Sequence, residues 1–428
     1  MTQNRFRSTW TTSISSRTGD PAGRVPAHAL LLFKVAGLLV FPFLFAPSPA
    51  GASDAIIFEA KKNLFLNYTL ESEDDRIEHK FKIDRARIDL QLEGWQMLEA
   101  VLEYDFADVL DGRRVRDGIG DAVVSLRPTR EFGVSAGHFK RPGGAVDTLS
   151  RRKMPVIGRG GANEYLCEHL MYGDRDFGLM VSGRIGAKYP RFEYDVGAFN
   201  GLGPMGDIRP AGLIEPAARI SFSPAKWLEA ALFASMKIID DDTLRMAFDP
   251  NDFLFRTDKD FPDYMNLPVE QAREGFNDEH GWMKGDRWMA GADVRLKKKG
   301  VLALVEGEVA QNWWYRYSPW VWSVAALASY THEFDTKVRF ALEPVAMIDL
   351  LTVADGDFRW QSRLWTLQAG LNIHLTEVLR LMIQGEFVFT NGTDAYFKET
   401  PRKGFWPGEW PDDFEPSTAL SVQFTLVD

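Results

Sequence analysis

Lys140, Arg141, Arg151, Arg152, Lys153 and Arg159 set six cations against a single acid, Asp147, between residues 140 and 160. The chain as a whole carries a formal net charge of −10, so this local excess runs against its average. Guanidinium and ammonium groups held at a narrow, poorly screened passage attract anions. On a solvated loop the same side chains would pair with nearby Glu164, Glu168 and Asp174, and residue type alone leaves both readings open. A second set, Arg85, Arg87, Arg219, Arg295 and Arg339, falls on the polar face of alternating segments. These five could form a basic ladder guiding anions, or cross-strand pairs with acids such as Glu99, Glu103 and Asp105.

Other chemistries find little support. Cys167 is the only cysteine, which excludes an intrachain disulfide and the Cys-rich zinc sites. The seven His residues are scattered, without an HExxH or a close pair, so neither a metal nor another cofactor is expected. Ser150 with His138 or His169 could in principle make a nucleophile and base, but no signature surrounds them. Asp174 and Asp176 read as loop or lumen charges rather than an acid–base pair. The balance of charge is not that of a nucleic-acid binder.

The elements that must carry these residues are strands. Ala86, Ile88, Leu90 and Leu92 alternate with Arg85, Arg87, Asp89 and Gln91. Leu379, Leu381, Ile383, Phe387 and Phe389 alternate with Arg380, Met382, Gln384 and Glu386, and Leu420, Val422, Phe424 and Leu426 with Ser421, Gln423 and Thr425. Period-two alternation marks strands with one apolar face. Short links near 93–95, 127–132, 187–191, 223–226, 297–300, 333–336 and 375–378 alternate with longer segments near 71–79, 107–120, 140–175, 200–215, 239–286, 312–319, 350–359 and 390–417. Seven short turns and eight longer loops imply sixteen strands, and long loops confined to one end are the habit of bacterial membrane barrels. The expected fold is therefore all-β, a transmembrane antiparallel up-and-down β-barrel of about sixteen strands. A mean hydropathy of −0.22 suits this fold, because barrel strands alternate. Trp95, Tyr104, Trp227, Trp288, Trp313, Trp314, Trp320, Trp322 and Trp360 fall near strand ends, where aromatic belts meet lipid headgroups; stacking on sugar rings inside the pore is the rival reading.

At the N-terminus, Arg5, Arg7, Arg17, Arg24 and Lys34 precede the apolar stretch Val35–Ala46 and the small-residue site Ala50-Gly51-Ala52. This is the pattern of a cleaved export signal over residues 1–52, leaving a barrel domain over 53–428; a transmembrane anchor is the rival reading, against which stand the shortness of the apolar run and its interruption by Pro42. Removal would take away five basic residues and one acid, Asp20, so the mature charge becomes 45 − 59 = −14.

Several short motifs, in order along the chain, resemble the phosphate-selective porin O and P family. They are Phe81-Lys82-Ile83-Asp84-Arg85-Ala86-Arg87, Gly137-His138-Phe139-Lys140-Arg141-Pro142, Leu149-Ser150-Arg151-Arg152, Asp174-Arg175-Asp176-Phe177-Gly178, Gly197-Ala198-Phe199-Asn200-Gly201, Ala218-Arg219 and Gly370-Leu371-Asn372. The chain departs from the family pattern at Pro142-Gly143-Gly144, where the family usually has Pro-Phe-Gly, and at its last residues, Leu426-Val427-Asp428. The resemblance implies a trimeric porin of the Gram-negative outer membrane whose third loop folds inward to narrow the pore, and uptake of anions such as phosphate. With it, the basic third loop becomes the expected constriction. A passive, non-enzymatic channel embedded in outer-membrane lipid is the resulting expectation. A general or mildly cation-preferring porin, a surface adhesin and a soluble periplasmic β-protein are its rivals.

Overall fold

The computed structural model describes residues 57–73, 76–94, 97–107, 118–170, 172–201, 214–238, 287–311, 320–335, 340–354, 361–392 and 417–427. The export signal expected over 1–52, Arg339, Trp95, Trp313, Trp314 and Trp360 lie outside the described residues, as do most of the loops expected at 239–286 and 390–417.

Each alternating segment is an extended strand with two unlike faces. They are β1 (Ile57–Glu73), β2 (Arg76–Gly94), β3 (Leu98–Asp105), β4 (Ile119–Leu126), β5 (Gly133–Lys140), β6 (Arg175–Ile185), β7 (Arg191–Phe199) and β8 (Glu215–Ala225). After them come β9 (Leu228–Lys237), β10 (Arg287–Lys298), β11 (Val301–Gln311), β12 (Trp320–Tyr330, continued past Thr331 as His332–Phe334), β13 (Phe340–Ala354), β14 (Gln361–His374), β15 (Leu379–Gly392) and β16 (Ser417–Val427). Every strand pairs antiparallel with its neighbour in sequence, and β16 returns to β1 through the register Asn63↔Val427 to Ser72↔Thr418. The sheet is a closed ring of sixteen strands. Closure leaves neither end of the sheet with an unpaired edge strand.

Among the described residues, the short turns expected from the sequence sit at one end of the ring. In the two-residue turn between β10 and β11, Lys299 and Gly300 both adopt positive φ (49° and 81°), as a type I′ hairpin turn requires. Two of the eight longer connections are shorter than the sequence implied. β1 and β2 pair out to Glu73↔Arg76, and β13 and β14 out to Ala354↔Gln361. In the first case the strand ends carry charges instead of an apolar face, so alternation fades before the strand does. In the second, Leu350-Leu351 and Val353-Ala354 belong to a strand that is apolar on both faces, for a reason given below.

The two faces are cleanly sorted. Ile220, Leu232, Val294, Val305, Val324, Ile348 and Phe387 are exposed on the outside, while their neighbours Ser221, Asp293, Glu306, Ser323, Asp349 and Gln384 are buried on the inside. A closed ring with a continuous apolar exterior of this kind is matched to lipid, where no water competes for the backbone. Aromatic residues mark both rims. Trp288 and Trp320 meet edge to face at 5.6 Å at the loop end, and Lys298 lies 4.6 Å over the Trp227 ring at the turn end. Val305→Arg, in the middle of the outer face of β11, is expected to cost about 2–4 kcal/mol. Gln91→Lys, on the inner face beside Glu93 and Glu99, is expected to cost less than about 0.5 kcal/mol. Denaturant unfolding in lipid vesicles measures both, and equal sensitivity would mean that the faces are assigned the wrong way round.

Candidate functional site

The connection between β5 and β6 is the third loop (L3). It contains two helical turns, α1 (Ala145–Thr148) and α2 (Gly161–Glu164), followed by a π-helical turn, Tyr165–His169. L3 folds into the ring and runs along its inner wall. Gly143 O accepts from Arg219 Nη1 on β8 at 2.7 Å, and Val146 N donates to Glu306 Oε2 on β11 at 3.0 Å. Met154 O and Pro155 O accept from Arg380 and Asn372 on β15 and β14 at 3.0 and 2.8 Å. Ile157 N donates to Gln384 Oε1 on β15 at 2.8 Å, Ala162 N to Asp349 Oδ2 on β13 at 2.7 Å, and Tyr172 Oη to Gln311 O on β11 at 2.7 Å.

Apolar contact fixes the same stretch. Val146, Met154 and Val156 pack against Leu304 on β11, Leu327 on β12, and Val345 and Met347 on β13. This is why β11, β12 and β13 carry apolar residues on their inner faces where other strands carry polar ones. L3 is thus held against β8 and β11–β15.

The six loop cations separate into two groups. Lys140, Arg141 and Arg159, expected at a constriction, are internal ties instead. Arg141 is 1% exposed; its guanidinium donates to Glu215 and to Gly173 O, and its backbone N–H donates to Asp174 O at 3.0 Å, closing the base of L3. Lys237 Nζ, also fully buried, lies 2.7 Å from the same Glu215. Asp147 gathers the other two: Arg159 Nη1 is 3.1 Å from its Oδ1, and Lys140 donates to its carbonyl. Acids crowd the interior of a folded loop enough to capture these cations, which the isolated charge count could not show.

Arg151 and Arg152 are half-buried and Lys153 is exposed. They stand on the segment between α1 and α2 that faces the opposite wall. Arg152 Nη1 reaches to 3.8 Å from Asp89 Oδ2 on β2, and Arg151 lies within electrostatic reach of Arg85. That wall is a ladder of paired charges. Arg87 contacts Glu103 and lies 3.5 Å from Asp105, Arg85 Nε lies 3.6 Å from Asp105, and Arg175 contacts Glu103 and Asp121 at 2.6 Å each. Across the ring, Arg219 holds Asp293 with both Nη atoms, and Arg295 lies 2.9 Å from Glu229. Arg85, Arg87, Arg219 and Arg295 are therefore wall residues with acid partners. Glu215, Glu306 and Asp349 are not singled out by the sequence, and Arg175, Asp147 and Gln384 appear there without these roles. The legible signal for several of them was the doubly apolar run in β13, which requires something inside the barrel to cover it.

The Ser150–His138 arrangement does not assemble, and the side chain of His169 lies outside the described residues. The His138 ring is turned to Gly120 O at 2.6 Å and packs on Phe177, with no hydrogen bond to Ser150. Burial pushes the Cys167 thiol well above its ordinary pKa, which keeps it protonated.

No known family profile matches the sequence, and no curated protein does. Solved structures do match. OmpT, an outer membrane protein of Vibrio cholerae solved in a trimer form, superposes with a TM-score of 0.54 at 9% identity, covering 88% of this chain and 100% of that one. The fold is that of the outer-membrane porins. An anion-selective porin from Comamonas acidovorans gives 0.54 at 11% identity over 87% of this chain and 100% of its own. The outer membrane channel DcaP of Acinetobacter baumannii gives 0.53 at 9%, over 87% and 98%. At such identities the porin likeness is one of architecture, and the phosphate-selective subgroup belongs to the reading proposed below.

The Arg141–Glu215–Lys237 cluster of this porin-like barrel generates a test. Glu215→Leu leaves two buried cations without their shared anion and is expected to destabilise the fold by about 3–5 kcal/mol. Denaturant unfolding checks it, and a cost below about 1 kcal/mol would mean that water reaches the cluster.

Proposed function

We propose that the protein is a passive diffusion channel of the Gram-negative outer membrane, admitting small hydrophilic solutes with a preference for anions such as phosphate. The observation that carries this reading is the position of Arg151, Arg152 and Lys153, which stand on the inward loop opposite the Arg85 and Arg87 wall. The wall arginines Arg85, Arg87 and Arg175 are balanced by Glu103, Asp105 and Asp121, and Asp89 faces Arg152, so the excess cations of the loop, Arg151 and Lys153 foremost, set the sign of the passage in this reading. Residues 1–52 are proposed as the export signal, no enzymatic step is assigned, and the assembly is proposed as a homotrimer in outer-membrane lipid, by analogy with the trimeric neighbour and the family resemblance.

The mature charge of −14 favours a cation-preferring channel at first sight. The inward acids Glu306, Glu308 and Asp349 lie beneath L3 and are shielded from the solute path. Many of the remaining acids fall in the long outer connections, where salt screens them over about 8 Å. Cations at the narrow point act at shorter range. Reversal potential across a salt gradient in a planar bilayer is expected to show a modest anion preference that weakens in Arg151→Ala/Arg152→Ala. Cation preference in the wild type would replace this reading with that of a general porin. An unchanged preference in the variant would move the selectivity to Arg85 and Arg87.

A further inference from the structure

Both helical turns of L3 begin on a glycine. Gly144 precedes α1 and Gly160 precedes α2, and neither end has a side-chain cap of its own. The first-turn N–H groups of a helix need acceptors, and inside a barrel water is a poor supplier of them. Here the wall supplies them. Val146 N, in α1, donates to Glu306, and Ala162 N, in α2, donates to Asp349.

Glycine is what lets the wall approach. A Cβ at Gly144 would collide with the Glu306 carboxylate, and one at Gly160 with that of Asp349. Gly160 also has φ +86°, which a side chain would strain. Glu306 and Asp349 are 3% and 1% exposed, so neither meets the solute path. Neither forms an ion pair among the described residues, unlike Glu103, Asp105, Glu215, Glu229 and Asp293, whose partners are arginines or lysine. Their polar contact is with the loop. The two caps bracket the stretch that carries Arg151, Arg152 and Lys153.

We infer that Glu306 and Asp349 are positioning residues, capping the L3 helical turns from the barrel wall and thereby fixing how far the loop cations stand into the lumen. The inference deepens the channel reading and rests on it for the consequence in the pore, while the capping itself can be read without any current. Losing a cap of this kind shifts a local equilibrium about fivefold. Once released from the wall, L3 enters the passage more often.

Two measurements test this. In the first, Cys167, the single thiol, buried just after α2, reports release of L3 from the wall through its maleimide labelling rate in the folded protein. Asp349→Ala is expected to raise that rate about fivefold, whereas Asp349→Asn, which keeps an oxygen acceptor and removes the charge, stays near wild type. Glu306→Ala and Glu306→Gln should divide in the same way. In the second, single-channel recordings of the Ala variants should show transient closures about five times as frequent, with the Gln and Asn variants quiet. Gly144→Ala, which displaces α1 while leaving both acids in place, should behave like Glu306→Ala. Heat-modifiable gel migration establishes that each variant has folded. Equal behaviour of the Ala and the Asn or Gln variants would replace capping by a charge effect, and Ala variants indistinguishable from wild type in labelling would overturn the inference. A wild type that carries no current, with the labelling pattern intact, would overturn the channel reading alone.

Discussion

Every backbone N–H and C=O at membrane depth must find a partner within the protein, because hydrocarbon offers none. The ring closes for this reason, with β16 returning to β1. The consequences extend to side chains. Once the strands alternate and the apolar face looks outward, every polar side chain of the strands is delivered to the interior. Glu103, Asp105, Asp293 and Glu306 are inside because Leu102, Tyr104, Val294 and Val305 must be outside. Closure therefore creates a crowded polar lumen before any selectivity is considered.

An irregular segment inside that lumen meets the same requirement. L3 can lie at membrane depth only if its own backbone groups are satisfied by protein or by a water-filled cavity. Its wall-facing groups are satisfied by Arg219, Glu306, Asn372, Arg380, Gln384 and Asp349, drawn from five different strands. Opposite the β2–β3 wall, with its paired charges, the loop presents Arg151, Arg152 and Lys153. Net charge is a poor guide to such a passage. Acids under the loop and in the long outer connections dominate the sum, whereas the proposed passage runs by Arg151, Arg152 and Lys153.

The strands were legible because alternation is imposed locally by the two solvents on either side of the wall, and the turns because short links need turn residues such as Lys299-Gly300. The charge cluster at 140–160 was legible as an anomaly, but the roles within it were not. Arg141 and Arg152 look alike in sequence. What separates them is Glu215, 74 residues away from Arg141, and long-range pairing of this kind leaves no periodic trace. Alternation also failed in β13, where Leu351 and Val353 face inward. The local pattern there reflects a covering segment from elsewhere in the chain.

The division of labour between loop and wall follows from the register. Glu306, Ala325 and Asp349 lie in one cross-strand row over β11, β12 and β13. Two acceptors at one level of the barrel, separated by a small apolar residue that joins the cluster under L3, form a shelf on which α1 and α2 can rest at the same height. Gly144, where the family pattern also has glycine, fits this shelf, since a side chain there would run into Glu306. The position of the loop is thus written into strands that are held by the whole ring. Its charge is written into residues 151–153, which take no part in the hydrogen bonds that hold L3 to the shelf. In the proposed channel, substitutions in that short stretch would change which ion is favoured without moving the loop, and substitutions in the shelf would move the loop without changing its charge.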